Sequence, residues 1–301
     1  MTMESPYASR LATIPVREGR ESVLGSDTHY WDYGPEDAQH TIVIAHGYRG
    51  EHHGFEPVIA HLPEYRFIGA DMPGFGESSP LTLVPHSIEG YAKWLTAFIE
   101  QLGLTGKAIV LGHSFGSIIG SRAVADGLDT PAFIMVNPIS VPGTEGPRRV
   151  ATAATIGFYR VGGRLPRPVA KRFLGNWVIV QFMSSNLAKT KDRALRRWVH
   201  YQHHTYFNRF SDRDTVVEAF DASMSHDVSD FADELHVPVL LVAAELDDIT
   251  PVAAHYVLQR TIPDASLTVL DGVGHLIHYE APDRAAAAIR DFVDALPPKR
   301  V

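Results

Sequence analysis

Six short runs of almost unbroken hydrophobic character recur along the chain: TIVIAHG (41–47), RFIGAD (66–71), AIVLGH (108–113), PAFIMVNP (131–138), VPVLLVAAE (237–245) and ASLTVLD (265–271). A strand with one face in water alternates apolar and polar residues. Continuous runs of this length and β-branched content are those of parallel strands covered on both faces. Helical patterns lie between them. SIEGYAKWLTAFIEQLGL (87–104) has apolar residues at helical spacing behind a serine placed to cap it, AVADGL (123–128) closes a second helix, and APDRAAAAIRDFVDAL (281–296) forms the last. Strand alternating with helix predicts an α/β fold with a mostly parallel central sheet flanked by helices. Residues 12–34 read as leading antiparallel strands, with HYWDYG finishing a hairpin.

The alternation stops near residue 139 and resumes near 237. The intervening stretch is rich in Arg, Ala and aromatics, with helix-like segments RPVAKRFLGNWVIVQFM and KDRALRRWVHYQHH. It also differs in charge: residues 141–230 hold 14 Lys and Arg against 8 Asp and Glu, while the rest holds 13 against 27. The expected organisation is therefore a core over 1–139 and 231–301, with a helical cap inserted over 140–230. The ordinary meaning of the surplus is a solvated basic face, and the sharper one is a rim attracting acidic or amphiphilic ligands. The net charge of −8 argues against a nucleic-acid partner. The Pro-Pro-Lys-Arg tail is expected to fray.

With no cysteine in 301 residues, disulfides, thiolate catalysis and cysteine-bound metals are excluded. No apolar run approaches the roughly 20 residues a membrane span needs. The N-terminal MTMESPYASRLATIPVREGRE lacks the apolar core of a secretory signal, so a cytoplasmic setting is expected. A homo-oligomer remains open.

In open parallel sheets, ligands bind beyond the carboxyl ends of the strands. The residues found there are His46-Gly47-Tyr48, Asp71, Ser114, Asn137, Asp247 and Asp248, and His275. They include a nucleophile, a base and acids to orient it. Ser114 stands at a strand-to-helix junction, Gly112-His113-Ser114-Phe115-Gly116. A tight turn there forces the central residue into strain, and anything larger than glycine at the flanking positions would strike backbone.

Five segments, taken in order, resemble the α/β-hydrolase superfamily: HGYRG, DMPGFGES, the elbow GHSFGS, AELDDITP and DGVGHLIHYEAPD. The acid loop departs from the family's G-x-x-D-x-x-x-P only in having alanine first. The resemblance implies Ser114 as nucleophile, His275 as its base and Asp247, by register rather than Asp248, as the orienting acid. It implies backbone N–H groups of Tyr48 and Phe115 as oxyanion donors, with both side chains free to line the pocket. Some relatives carry the acid after the strand ending at Asn137, where an amide cannot hold that charge. Haloalkane dehalogenases and epoxide hydrolases of this fold use aspartate at the elbow, which Ser114 disfavours.

The chemistry so implied is serine hydrolysis of a small-molecule substrate, foremost a carboxylic ester, through an acyl-enzyme without cofactor or metal. A C–C bond hydrolase, thioesterase, amidase, lyase or cofactor-free perhydrolase would use the same triad. A ligand receptor could retain the pocket without turnover, and an interaction scaffold could act through the basic cap. His46 is expected to shape its loop, Asp71 to be structural and His278 to pack or face solvent. His52 and His53 lack a third metal ligand. Phe158, Tyr159, Trp177, Phe182, Met183 and Trp198 are candidate pocket lining, fewer than half of them expected to touch substrate.

Overall fold

The computed structural model describes residues 3–142 and 149–296, so the Pro-Pro-Lys-Arg tail lies outside the described residues. Eight strands run in chain order: β1 (Val16–Val23), β2 (Ser26–Tyr33), β3 (Thr41–Ala45), β4 (Arg66–Ala70), β5 (Ala108–His113), β6 (Phe133–Val136), β7 (Val239–Ala244) and β8 (Ala265–Leu270). They form one sheet in the order β1-β2-β4-β3-β5-β6-β7-β8. The β1–β2 hairpin is antiparallel and pairs antiparallel with β4. From β4 to β8 every pairing is parallel.

Every residue of β3, β5, β6 and β7 is buried, because successive side chains feed different cores. Val43, Ala45 and Val110 pack with Tyr91, Trp94, Leu95 and Phe98 of the Ile88–Gln101 helix and with Ile118 and Ile119 of the Phe115–Ala125 helix. Ile42, Ile44, Ile109 and Leu111 point the other way, onto Val58 and Ile59 and onto Ala285, Ile289 and Val293 of the Pro282–Asp294 helix. Ser87 caps the first of these helices, its hydroxyl accepting from the Gly90 N–H at 3.1 Å.

Strand order reverses at β3, which lies between β4 and β5. The crevice beyond the ends of β3 and β5 is therefore the topological switch point, where doubly covered sheets open to ligands. Among the described residues, five α-helices lie between β6 and β7, Arg149–Arg164, Arg167–Leu174, Trp177–Leu187, Arg193–Tyr206 and Arg213–Ser225. This segment is pinned beside the crevice by backbone bonds to the turn after β4: Gly76 N–H to Arg209 O at 2.7 Å and Ser211 N–H to Gly74 O at 2.9 Å. Among the described residues, no helix is long and apolar enough to cross a membrane.

Candidate active site

Ser114 stands between β5 and the helix that follows, with φ 51° and ψ −115°. That backbone is sparsely populated for a residue with a side chain and is held by its surroundings. The flanking glycines answer to space. A Cβ on Gly112 would lie 2.5 Å from Gly116 O, and one on Gly116 would lie 1.9 Å from Ala45 O at the end of β3. Only two glycines allow elbow, helix and strand to pack this closely.

From the elbow a hydrogen-bonded chain crosses three loops. The Ser114 hydroxyl donates to His275 Nε2 at 2.9 Å, and His275 Nδ1–H donates to Asp247 Oδ2 at 2.7 Å. The other Asp247 oxygen accepts from Ile249 N–H at 2.7 Å. The Asp247 side chain has no exposed surface. Burial raises its pKa, but the charge and hydrogen bond of His275 and the Ile249 N–H outweigh it and hold the carboxyl below its usual range. Asp248 turns away and pairs with Lys189 from the helical segment.

The loop after β3 brings Tyr48 to the same crevice. His46 sets its shape: Nε2 accepts from Met72 N–H at 2.8 Å, which leaves Nδ1–H to donate to Gly47 O at 2.8 Å. Among the described residues neither Tyr48 N–H nor Phe115 N–H has an acceptor, so both are free for a developing oxyanion. The Tyr48 side chain lines the pocket, and its hydroxyl donates to Val216 O at 2.7 Å. The Phe115 side chain does not line it. As the first residue of the helix it packs below, edge-on to Tyr91 and Tyr48.

Arg49, next in the loop, is 2% exposed and carries φ 58°. Its guanidinium donates to Phe207 O, the Tyr159 hydroxyl, Leu174 O and Asn208 Oδ1, all in the helical segment. It also sits 4.4 Å from the Phe207 ring centroid.

Asn137, read from sequence only as a vacant acid position, holds the histidine loop. Its amide donates to Gly274 O at 3.2 Å and His275 O at 2.8 Å, while Oδ1 accepts from Ala244 N–H at 2.8 Å. Its φ of 43° suits asparagine, and its place at a buried strand end was the available sign. Glu280 closes the loop from the other side, accepting from Gly274 N–H at 3.0 Å and Thr190 N–H at 2.6 Å. Arg49 gave no such sign, because its partners lie more than 100 residues away.

The remaining candidates have other partners. Asp71 accepts from both the backbone N–H and Nδ1–H of His52 and from Glu77 N–H, fixing its turn. His52 stacks on Trp31, and His53 Nδ1 bonds Glu51. His278 is buried in the pocket wall, against Phe55 and His113. The cavity over Ser114 measures about 180 Å³, and the helical segment contributes Met183, Leu187, Gln202, His203, Tyr206 and Phe207. Of the six aromatic and Met residues offered as candidate lining, fewer than half of them expected to touch substrate, Met183 lines it. Trp177 and Phe182 point to solvent, Phe158 packs partly buried against the core, Tyr159 lies in that core and Trp198 packs on Tyr279.

Comparison with known proteins agrees with this architecture. The family model for the alpha/beta hydrolase fold matches residues 40–282. The chain belongs to that family, and its curated relatives are hydrolases. It is 25% identical, over 97% of its length and 99% of the relative's, to 2-hydroxy-6-oxononadienedioate/2-hydroxy-6-oxononatrienedioate hydrolase 1 of Dechloromonas aromatica. It is 26% identical, over 85% and 96%, to pimeloyl-[acyl-carrier protein] methyl ester esterase of Xanthomonas campestris. Among solved structures, a thermophilic esterase from Thermogutta terrifontis matches with a TM-score of 0.73 at 21% identity, covering 93% of this chain and 99% of that one.

Proposed function

We propose that this protein is a serine esterase that cleaves a small carboxylic ester through an acyl-enzyme, with Ser114, His275 and Asp247 as its triad. The observation that carries this reading is the unbroken Ser114–His275–Asp247 chain, 2.9 and 2.7 Å, ending on a strained elbow. As Ser114 Oγ bonds the ester carbon, its proton passes to His275 Nε2 and the carbonyl oxygen takes the negative charge between the Tyr48 and Phe115 N–H groups. Collapse breaks the bond to the alkoxy oxygen, which leaves with the proton from His275. Water then gives its proton to His275 and attacks the acyl carbon, and Ser114 departs with that proton as the acid is released. Asp247 keeps the imidazole in its Nδ1–H tautomer and balances the imidazolium.

In this reading residues 140–230 act as a cap over the core of 1–139 and 231–301. An ester is favoured over a dianionic C–C substrate such as the one the Dechloromonas relative is named for. Among the described residues the only Lys or Arg lining the pocket is Arg49, and its guanidinium is occupied by the helical segment. The basic surplus then belongs to the outer face. In this reading the protein works in the cytoplasm.

The test compares wild type with Ser114→Ala on p-nitrophenyl esters of increasing acyl length, alongside fluorophosphonate labelling. Labelling and turnover, both lost in the variant, are expected. Labelling without ester turnover would move the bond to an amide, thioester or C–C linkage. Folded wild-type protein that neither labels nor turns over would leave a receptor.

A further inference from the structure

His278 has no structural employment for its ring nitrogens. The side chain is 5% exposed and stacks on Phe55, with ring planes 15° apart. Nδ1 is fully buried and without a partner, and among the described residues Nε2 has none either. Buried polar groups are almost always satisfied, and of the two ring nitrogens Nε2, which lies toward the open space at Gly54, is the one a ligand can complete. The neighbouring Tyr279 hydroxyl also lacks a protein partner among the described residues, although the residue is 6% exposed. Both residues line the cavity over Ser114, and both reach the same corner of it. A Cβ built on Gly54 would lie 3.6 Å from the Tyr279 hydroxyl and 4.0 Å from His278 Nε2. Gly54 thus leaves open the space onto which the two groups converge.

The polarity of that corner follows from cost. A buried N–H without an acceptor is more expensive than a buried lone pair without a donor. The sealed Nδ1 is therefore the bare nitrogen, and Nε2 carries the hydrogen into the cavity. Tyr279 offers a second donor, its O–H. Burial holds the His278 ring well below the usual imidazole range, so the donor set is neutral. Glu51 lines the same cavity, with Oε1 held by His53 at 2.6 Å, and would repel an anion.

We propose that the Gly54 corner is a specificity subsite in which His278 Nε2–H and the Tyr279 hydroxyl bind an uncharged oxygen of the substrate, such as a ketone, carried beyond the scissile carbonyl. The proposal deepens the esterase reading and rests on it for the position of that carbonyl.

Binding and turnover are measured separately. Ligand-observed NMR titrations on Ser114→Ala protein compare methyl 4-oxopentanoate and methyl 5-oxohexanoate with methyl pentanoate and methyl hexanoate. Monomethyl butanedioate serves as the anionic probe. At least one oxo ester is expected to bind fivefold or more tighter than its alkyl counterpart. Tyr279→Phe, which removes only the hydroxyl, should abolish most of that difference. Gly54→Ala should do the same, since its methyl fills the corner without backbone strain; these two carry the test should His278→Leu fail to fold. Equal binding of oxo and alkyl esters, a preference that survives both variants, or tightest binding of the butanedioate would overturn the subsite. A binding preference in Ser114→Ala protein with no hydrolysis of any ester by wild type would retain the subsite and remove the esterase. Hydrolysis without the preference would do the reverse.

Discussion

Asp247 and Asp248 are neighbours in sequence, yet one carboxylate is sealed against His275 and the other stands half-buried beside Lys189. Asp247→Asn removes the charge that selects the imidazole tautomer, and kcat on a p-nitrophenyl ester should fall by roughly 10³- to 10⁴-fold with little change in fold. Asp248→Asn loses a partly exposed pair worth no more than about 1 kcal/mol, so kcat/KM should stay within about fivefold. Steady-state kinetics on the two variants, with circular dichroism as the folding control, separate the assignments. Equal losses would show that the acid role is shared. This part of the site was legible in sequence because the elbow, acid loop and histidine loop are each local patterns. The parts that hold them were not. Asn137 acts on a loop 138 positions away, and Arg49 finds acceptors at three separate places in the helical segment, Tyr159, Leu174 and Phe207-Asn208. Neither leaves a spacing to read.

Strands and the helical segment differ in how much of their packing a sequence reveals. A run such as TIVIA is apolar after its first residue because both faces are covered, so its composition already states its burial. The Trp177–Leu187 helix is also mostly apolar, seven residues in eleven, but of these only Met183 and Leu187 reach the cavity, while Trp177 and Phe182 are 62% and 66% exposed. Met183 and Leu187 share a face at i, i+4 spacing, whereas Trp177 and Phe182 fall outside it. Composition gives no means of telling the faces apart, so aromatic size was a poor guide to pocket lining. The double variant Trp177→Ser with Phe182→Ser should keep kcat/KM for short esters within about twofold. Its stability should change by no more than about 1 kcal/mol, as for surface positions. A large rise in KM would place that face in the substrate's path.

For the whole molecule, buried histidines bear on how stability responds to acid. Burial lowers His52 and His255 to about 4, and His113 and His203 to about 3. An unfolded chain protonates these rings near pH 6.5. Between that value and the folded ones, the unfolded state binds more protons, so stability is full above pH 6.5 and falls as pH drops toward 4. Each ring contributes about 1.4 kcal/mol per pH unit across that window. Asp247, lowered in the fold, adds a loss only below the ordinary carboxylate range near pH 3.9. Urea unfolding at pH 7.5, 6.5, 5.5 and 5.0 should show a slope approaching three or more protons, roughly, at the acid end. A flat profile would mean that these imidazoles are hydrated. The buried Arg49 bears on the origin of such architectures. Its charge is satisfied wholly by acceptors that the helical segment supplies. The segment is thus no interchangeable module. A deletion joining β6 directly to β7 would strand a guanidinium at the mouth of the crevice, and exchange of this segment for a foreign one would require residue 49 to change with it.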